Sequence, residues 1–260
     1  MIVLDHFAHR LRSLAGFLEN SHARAQIIRN PHLLLLRQRG GSIGLFLTLD
    51  KPWLRNLRLK TVLDIGANEG QFAVTINALL PKAQIYSFEP LPASFALLER
   101  NMTGVQGFRA FNLALGSEAG ELSIEQQHFT AASSFLPMTK LHKDAFPYAY
   151  KRGSSMTRVR VDRLDTVMAG CPAQDGLLIK IDVQGFEDQV LRGGEQTVRR
   201  AEVLIVETSI AALYAGQPLF DDVYGQLLEW GFQYAGSLDQ TYHPKDGRVL
   251  QVDSIFLRKG

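Results

Sequence analysis

A short strand followed at once by a glycine loop is the feature that most constrains this chain. Residues 61–72 read TVLDIGANEGQF, and residues 62–65 are the largely apolar run expected of a buried parallel strand. Gly66 and Gly70 come next, and helical spacing of apolar residues resumes after them. Glycines at such a turn let the backbone approach a ligand closely, because no side chain stands in the way. The stretch therefore predicts a cofactor loop between a strand and a helix.

Strand and helix patterns alternate along the chain after this loop. Further strands are predicted at residues 84–88, 108–115, 177–181 and 203–206, and helices at residues 71–80, 94–100, 187–192 and 222–230. Strands joined by helices imply right-handed crossovers and a parallel sheet, so the expected fold class is α/β with a doubly wound sheet. Residues 232–238 and 254–258 flank a turn-rich segment and predict an antiparallel hairpin at the edge of that sheet.

Residues 117–165 interrupt the alternation. Strands are predicted at 121–125 and 157–161, and the residues between them are polar and aromatic without a clear period. An insertion of this length inside an α/β domain is often a functional loop or lid. We therefore expect residues 51–260 to form one domain that carries this insertion between its third and fourth strands.

Residues 1–50 are predicted to be a helical extension of that domain. Apolar residues recur at three- and four-residue steps in residues 2–19, which is typical of an amphipathic helix. Residues 1–39 contain six arginines and only two acidic residues. The extension is expected to pack on the main domain or on a second subunit of a homodimer. Weak contact with an anionic membrane surface through its arginines is the alternative.

The composition bounds the class of protein. The chain has 260 residues, of which 46% are hydrophobic and 21% charged, as in soluble globular proteins. No apolar run reaches the roughly 18 residues that a transmembrane helix needs, and no secretory signal is recognisable. Cys171 is the single cysteine, so no internal disulfide can form and a cytoplasmic location is expected. A net charge of +2 does not argue for nucleic acid as a partner.

Two cofactor classes fit a strand, a glycine loop and a helix: nicotinamide dinucleotides and S-adenosylmethionine. Asp64 and Glu69 place carboxylates in this loop, where a diphosphate would be repelled. At an effective dielectric near 20, two charges about 4 Å apart interact by roughly 4 kcal/mol, which is enough to choose between ligands. The sulfonium and ammonium groups of S-adenosylmethionine are cationic and would be attracted. Glu89 follows Gly70 by nineteen residues, where an acid binds ribose hydroxyls, and both cofactors contain a ribose.

Six blocks in this order resemble the FkbM family of S-adenosylmethionine-dependent methyltransferases: DIGANEGQFA (64–73), FEPLP (88–92), NLALG (112–116), VRVDRLD (159–165), LIKIDVQGFEDQVLRGG (178–194) and IVET (205–208). The resemblance covers residues 61–235. It implies the class I methyltransferase fold, a Rossmann-like sheet of seven strands with an antiparallel last strand. It also implies O-methylation of a hydroxyl on a sugar, a polysaccharide or lipopolysaccharide, or a natural product.

The resemblance also implies which residues bind the cofactor. The loop after the first strand would line its methionine end, Glu89 its ribose, the end of the third strand its adenine, and Asp182 its methyl group. The full set is Asp64, Gly66, Ala67, Asn68, Gly70, Glu89, Pro90, Asn112, Ala114, Leu115 and Asp182. One position departs from the family pattern, because Gln184 stands where the family block D-V-E-G commonly has a glutamate.

Asp182 is the first candidate for the base that removes the proton of the acceptor hydroxyl, because the carboxyl ends of parallel strands line the ligand crevice. Lys180 is two residues earlier, points the same way, and is expected to pair with Asp182 or Glu207. His128, His142 and His243 are the second choice as base, and Ser133 and Ser134 are candidates to contact the acceptor. No cluster has metal-ligand spacing, so no structural metal is predicted, and a magnesium ion shared with the acceptor stays open.

Three other functions remain open. A nucleic-acid methyltransferase is disfavoured, because no Pro-Pro-aromatic block follows Asp182 and residues 40–260 are slightly acidic. An NAD-dependent oxidoreductase is disfavoured by the acids in the glycine loop. A nucleoside-cofactor-binding module without catalysis fits the same motifs.

Overall fold

The computed structural model describes residues 32–150, 153–172 and 175–259. The predicted amphipathic helix at residues 2–19 lies outside these ranges. Within them, no helix is both long enough and apolar enough to cross a bilayer.

A seven-stranded sheet is the centre of the fold, with strands numbered along the chain. Its members are β1 (Thr61–Ile65), β2 (Gln84–Phe88), β3 (Phe108–Phe111), β7 (Leu177–Ile181), β8 (Val203–Ser209), β9 (Phe232–Tyr242) and β10 (Val249–Arg258). The strand order is β3-β2-β1-β7-β8-β10-β9. The five strands from β3 to β8 in that order pair in parallel, whereas β10 is antiparallel to both of its neighbours. The predicted class I methyltransferase fold is confirmed.

The antiparallel hairpin predicted at the edge of the sheet is present, and the structure adds which of its two strands is the inner one. Strands β9 and β10 do pair in antiparallel fashion, but β10 lies between β8 and β9, so β9 alone forms the edge. The burial of β10 gives the physical reason, since Ser254 and Phe256 have no exposed surface. A strand with such side chains is stable inside a sheet, where both of its edges are paired.

Helices cover both faces of this sheet. The described helices are α1 (His32–Gln38), α2 (Ile43–Leu49), α3 (Pro52–Arg55), α4 (Gln71–Leu79), α5 (Pro92–Asn101), α6 (Lys140–Ala145), α7 (Leu164–Ala169), α8 (Glu187–Gly193), α9 (Glu195–Val198) and α10 (Phe220–Glu229). Of these, α6 packs in a separate hydrophobic cluster of the insertion. Side chains alternate along a strand, so Leu63 and Ile65 enter one core and Val62 enters the core on the opposite face. The described part of the N-terminal extension belongs to the second core, through Leu36 and Leu49. The domain boundary at residue 50 stays a prediction.

A second, three-stranded sheet joins one short strand before the predicted insertion to two strands inside it. It consists of β4 (Ala114–Leu115), β5 (Gly120–Gln127) and β6 (Ser154–Asp162) in the order β4-β6-β5. The single strand predicted at residues 108–115 is therefore wrong, because its two ends belong to different sheets. Asn112 lies at the break and turns its side chain amide to the backbone of Glu89 and Pro90, as described below.

Candidate active site

A cavity of about 380 Å³ opens at the carboxyl ends of β1, β2, β7 and β8. Its floor and one wall come from the loops that follow β1 and β2. The opposite wall comes from residues at the end of β7, and Glu207 of β8 reaches it as well. Residues 130–135 of the insertion close the cavity from above, through Thr130, Ala131, Ser133 and Phe135. The cavity is thus lined by the main domain and by the insertion together.

The glycine loop is shaped by a close contact with the loop after β7. Gly66 has φ +80°, and a Cβ added there would lie 1.8 Å from the carbonyl oxygen of Asp182. In the same place, the backbone N–H of Asp182 donates to the carbonyl of Ile65 at 3.0 Å. Gly70, with φ +92°, precedes α4, and a Cβ there would come within 2.8 Å of Leu98. Only glycine fits these two positions, so the loop's residue types follow from its packing.

Glu89 is held rigidly at the end of β2. Its Oε2 accepts the backbone N–H of Asn68 at 2.9 Å, and its Oε1 accepts that of Leu91 at 2.8 Å. Asn112 Nδ2 donates to the backbone carbonyls of Glu89 and Pro90 at 2.9 and 3.0 Å. Burial raises the pKa of Glu89 to about 7, against the effect of the two hydrogen bonds it accepts. The carboxylate therefore faces the cavity in a fixed orientation, with lone pairs left for a ligand hydroxyl.

Asp64 lies behind the cavity wall. It is fully buried in β1, in register between Ser87 of β2 and Lys180 of β7. Ser87 Oγ lies 3.5 Å from Oδ2, and Oδ1 has no hydrogen-bond partner among the residues that the structure describes. Burial raises the pKa of Asp64 to about 6, although the nearby charge of Lys180 lowers it. Its charge can act on a ligand only through the loop, whereas Glu89 meets the cavity directly.

Charged and amide side chains meet at the ends of β7 and β8. Lys180 Nζ donates to Asp182 Oδ2 at 2.9 Å, so the predicted ion pair is formed with Asp182 rather than with Glu207. Gln184 Nε2 donates to both Asp182 Oδ1 and Glu207 Oε2, each at 2.9 Å. The hydroxyl of Tyr214 donates to Gln184 Oε1 at 2.9 Å. These contacts order the carboxylates at this end of the cavity.

The insertion is hydrogen-bonded to both loops beneath it. Thr130 Oγ1 donates to Asn68 Oδ1 in the glycine loop at 3.0 Å. Ser134 Oγ donates to the backbone carbonyl of Gln184 at 2.6 Å. Ser133 lines the cavity and accepts the backbone N–H of Gln127 at 3.0 Å. Contact of Ser133 and Ser134 with an acceptor stays a prediction. The hydroxyl of Ser134 is already used in its hydrogen bond to the backbone of Gln184.

Most of the sequence-predicted cofactor residues come together in the described wall of the cavity: Gly66, Ala67, Asn68, Glu89, Pro90, Ala114, Leu115 and Asp182. Asp64, Gly70 and Asn112 lie behind that wall and support it. Their direct contact with a cofactor stays a prediction.

The candidate histidines lie elsewhere, since the described wall contains none of them. His142 is buried, its ring 4.9 Å from that of Tyr214, and burial lowers its pKa. His243 pairs with Asp246 at 3.1 Å in the turn between β9 and β10. Neither position favours a role as base at the cavity.

The sequence indicated Glu207 only as a possible partner of Lys180 and Gln184 only as a departure from the family pattern. It indicated no role for Thr130 or Tyr214. Glu207 had a signal in the sequence, because it ends the apolar run of β8 inside the block IVET. The sequence contains no comparable signal for Thr130 and Tyr214, because their contacts depend on the tertiary fold.

The charges in the cavity suit a cationic ligand. Among the described residues that line the cavity, the acidic ones are Glu89, Asp182 and Glu207. The one basic residue among them is Lys180, which already pairs with Asp182. A diphosphate would meet these carboxylates, whereas a sulfonium and an ammonium would be attracted. The sequence predicted that Asp64 and Glu69 would make the site favour a cation over a diphosphate. In the structure, the carboxylates that line the cavity are Glu89, Asp182 and Glu207 instead. No group of three or more potential metal ligands occurs among residues 32–150, 153–172 and 175–259.

The strand order, the antiparallel last strand and a ligand cavity at the carboxyl ends of β1 and β2 define a class I methyltransferase fold. Residues 64–234 match the model of the Methyltransferase FkbM domain. The chain belongs to this family of S-adenosylmethionine-dependent methyltransferases. The predicted resemblance and the predicted cofactor are confirmed at the level of the family.

Known proteins similar to this chain include two curated methyltransferases. The 2-O-methyltransferase NoeI of Sinorhizobium fredii is 30% identical over 162 residues, which are 60% of this chain and 66% of that protein. The hexuronic acid methyltransferase AglP of Haloferax volcanii is 26% identical over 145 residues, 55% of this chain and 54% of that protein. The chain thus spans between about half and two thirds of their length. A solved TehB-like S-adenosylmethionine-dependent methyltransferase from Corynebacterium glutamicum aligns with 92% of this chain and 98% of its own, at 16% identity and a TM-score of 0.41.

We predict that Gly66→Ala destabilises the protein by about 2–5 kcal/mol, because a Cβ adds a backbone clash to the strain of a positive φ. Gly104→Ala is the matched control, since Gly104 has φ +77° and an open space around its Cβ position. This control should cost only about 1 kcal/mol. Urea denaturation of both variants measures the difference. Equal costs would show that the contact between the two loops does not constrain residue 66.

We predict that Asp64→Asn stabilises the protein in a pH-dependent way. The pKa of Asp64 is raised to about 6 in the folded state, so the unfolded chain ionises first as pH rises. The wild type therefore loses stability between about pH 4 and pH 6, by about 3 kcal/mol for two pKa units. The variant should be more stable by this amount near pH 8 and similar near pH 4. Denaturation at both pH values tests this, with the exposed Asp144→Asn as the control. A difference that is independent of pH would contradict it.

Proposed function

We propose that this protein transfers a methyl group from S-adenosylmethionine to a hydroxyl of a sugar, a polysaccharide or lipopolysaccharide, or a natural product. One observation carries the proposal: a carboxylate-lined cavity at the carboxyl ends of β1, β2 and β7 in a chain of the FkbM family. The name of one relative, a 2-O-methyltransferase, supports an oxygen acceptor, and the name of the other, a hexuronic acid methyltransferase, supports a sugar.

In the proposed complex, the residues from the glycine loop to the end of β4 would hold the cofactor. Gly66, Ala67 and Asn68 would contact its methionine end, and Glu89 would accept hydrogen bonds from its ribose hydroxyls. Pro90, Ala114 and Leu115 would pack near its adenine. Three predicted residues lie behind this surface and would act indirectly. Asp64 would act through its charge, and Gly70 and Asn112 would hold the loops in place.

The transfer requires an acceptor hydroxyl in line with the reactive centre. When bound, S-adenosylmethionine supplies a methyl group activated by a positively charged sulfur. Asp182, at the end of β7, would face this group and take the proton of the hydroxyl as the new bond forms. Lys180 and Gln184 hold its two oxygens and fix its direction. Most of the rate gain would come from holding the reactants in this geometry.

Further proposals rest on the sequence alone. They are a cytoplasmic location, a homodimer, and contact of residues 1–39 with an anionic membrane surface. Residues 1–31 lie outside the described part of the chain.

Binding and transfer measurements test the proposed function. Isothermal titration should show binding of S-adenosylhomocysteine and no heat with NAD⁺. A labelled methyl group should then be transferred to a member of a panel of neutral sugars, uronates, lipopolysaccharide fragments and hydroxylated natural products. Binding of NAD⁺ without S-adenosylhomocysteine would overturn the proposal in favour of an oxidoreductase. Cofactor binding without transfer to any panel member would favour a binding module.

Asp182→Asn tests the assigned base. We predict that it lowers kcat by about 10²-fold or more, because a general base contributes 10²–10⁴-fold. The affinity for S-adenosylhomocysteine should change by less than about tenfold, since this ligand lacks the sulfonium charge. Asp221→Asn, at an exposed position of α10, is the control and should leave both values unchanged. Unchanged turnover of Asp182→Asn would exclude the assignment.

A further inference from the structure

One amide group joins two carboxylates in the cavity. An amide nitrogen carries two hydrogens, and Gln184 Nε2 uses them on Asp182 Oδ1 and Glu207 Oε2, both at 2.9 Å. The amide oxygen accepts the hydroxyl of Tyr214, which fixes the orientation of the group. A carboxylate at position 184 would face two others, whereas the neutral amide stabilises both.

The position of Gln184 is itself fixed. Its φ is +56°, a left-handed conformation that is uncommon for a residue other than glycine. Ser134 Oγ donates to its backbone carbonyl at 2.6 Å. Glu187 Oε1 accepts the backbone N–H groups of Val183 and Gly185 on either side, at 3.1 and 3.2 Å. The strained residue is therefore held from three directions, as expected where the orientation of a side chain matters.

The two carboxylates that Gln184 bridges differ in the number of their oxygens that accept hydrogen bonds. Both oxygens of Asp182 accept a hydrogen bond, one from Lys180 and one from Gln184. Glu207 accepts through Oε2, and its Oε1 accepts no hydrogen bond from the residues that the structure describes. Glu207 also lines the cavity. Of the two carboxylates, Glu207 thus offers an open oxygen to an incoming hydroxyl.

The surroundings of Glu207 raise its affinity for a proton. Burial raises the pKa of Glu207 well above its ordinary value, and the carboxylates of Asp182, Glu187 and Asp253 raise it further, while Lys180 opposes them. Asp253 lies directly opposite in the register of β10 with β8. A carboxylate with a raised affinity for protons and an unengaged oxygen at the cavity can receive the proton of a hydroxyl.

We propose that Glu207 is a further catalytic residue, whose Oε1 receives the proton of the acceptor hydroxyl within a carboxylate pair that Gln184 couples to Asp182. The proposal rests on the proposed methyl transfer and revises one part of it. The proton that was assigned above to Asp182 goes to Glu207, and Asp182 is the partner that Gln184 and Lys180 hold beside it. The acceptor oxygen forms a bond to the methyl carbon, and the carbon–sulfur bond breaks with its electron pair left on sulfur. The hydroxyl proton moves to Glu207, and Asp182 remains ionised beside Lys180. The apparent pKa values belong to the pair.

A titration of the protein without cofactor tests the coupling. Carbon-13 spectra of protein labelled at its glutamate carboxyls would follow the titration of Glu207. The signal of Glu207 is identified as the one that is missing in Glu207→Gln. If Glu207→Gln does not fold, Glu207→Asp provides the same assignment. The midpoint should lie above the ordinary value of about 4.3. It should fall in Asp182→Asn, which removes a negative charge, and rise in Gln184→Ala, which removes a donor. The exposed Glu99→Gln should leave it unchanged. An ordinary midpoint, or one insensitive to Asp182→Asn, would overturn the proposal.

Turnover tests the proton transfer itself, with whichever panel acceptor is methylated. Glu207→Gln should lower kcat by about 10²-fold or more and abolish the acidic limb of the pH–rate profile. Its affinity for S-adenosylhomocysteine should stay within about tenfold of the wild type, and Glu99→Gln should match the wild type in every respect. Full turnover of Glu207→Gln would refute the role. Failure of the wild-type protein to bind S-adenosylhomocysteine would instead contradict the proposed function. The carbon-13 titration measures the coupling between Glu207 and Asp182 whether or not that ligand binds.

Discussion

The backbone contact between the loops after β1 and β7 is the constraint on which the site depends. Gly66 has no side chain where a Cβ would lie 1.8 Å from the carbonyl of Asp182, and the N–H of Asp182 donates to Ile65. Because these loops touch directly, the residues that follow β7 lie beside the cofactor loop. A single cavity can then bring Asp182, Gln184 and Glu207 to the end where the transferred group is expected.

Buried negative charge is the second constraint, and it opposes stability. Burial raises the pKa of Asp64 and of Asp253 to about 6, and that of Glu89 to about 7, around the single cation Lys180 of the described wall. Such shifts mean that ionising these groups costs folding free energy at neutral pH. A cationic ligand would offset part of that cost on binding. The same electrostatics therefore disfavours the empty site and favours a positively charged donor.

The amino-acid sequence predicted the order of strands and helices because each element has its own local period. Non-local pairing could not be predicted in this way: β10 enters between β8 and β9, and residues 108–115 divide between two sheets. The alternation along β1 did contain a further clue. Asp64 shares the side of Val62, the side that enters the core beneath α4, so its burial behind the loop follows from the pleat. The roles of Gln184 and Glu207 required tertiary contacts, because their partners come from separate strands and from Tyr214.

The insertion links the two ends of the cavity mechanically. Thr130 bonds to Asn68 in the glycine loop, and Ser134 bonds to the backbone of Gln184, which positions two carboxylates. Tyr214 is fully buried in the core beneath the insertion and donates its one hydroxyl hydrogen to the side chain of the same glutamine at 2.9 Å. The carbonyl oxygen of Ala132 lies 3.1 Å from the same hydroxyl. A displacement of residues 130–134 would therefore disturb the glycine loop and the carboxylate pair at once. The segment that closes over the cavity is thus connected by hydrogen bonds to the groups proposed to bind the cofactor and to those proposed to accept the proton.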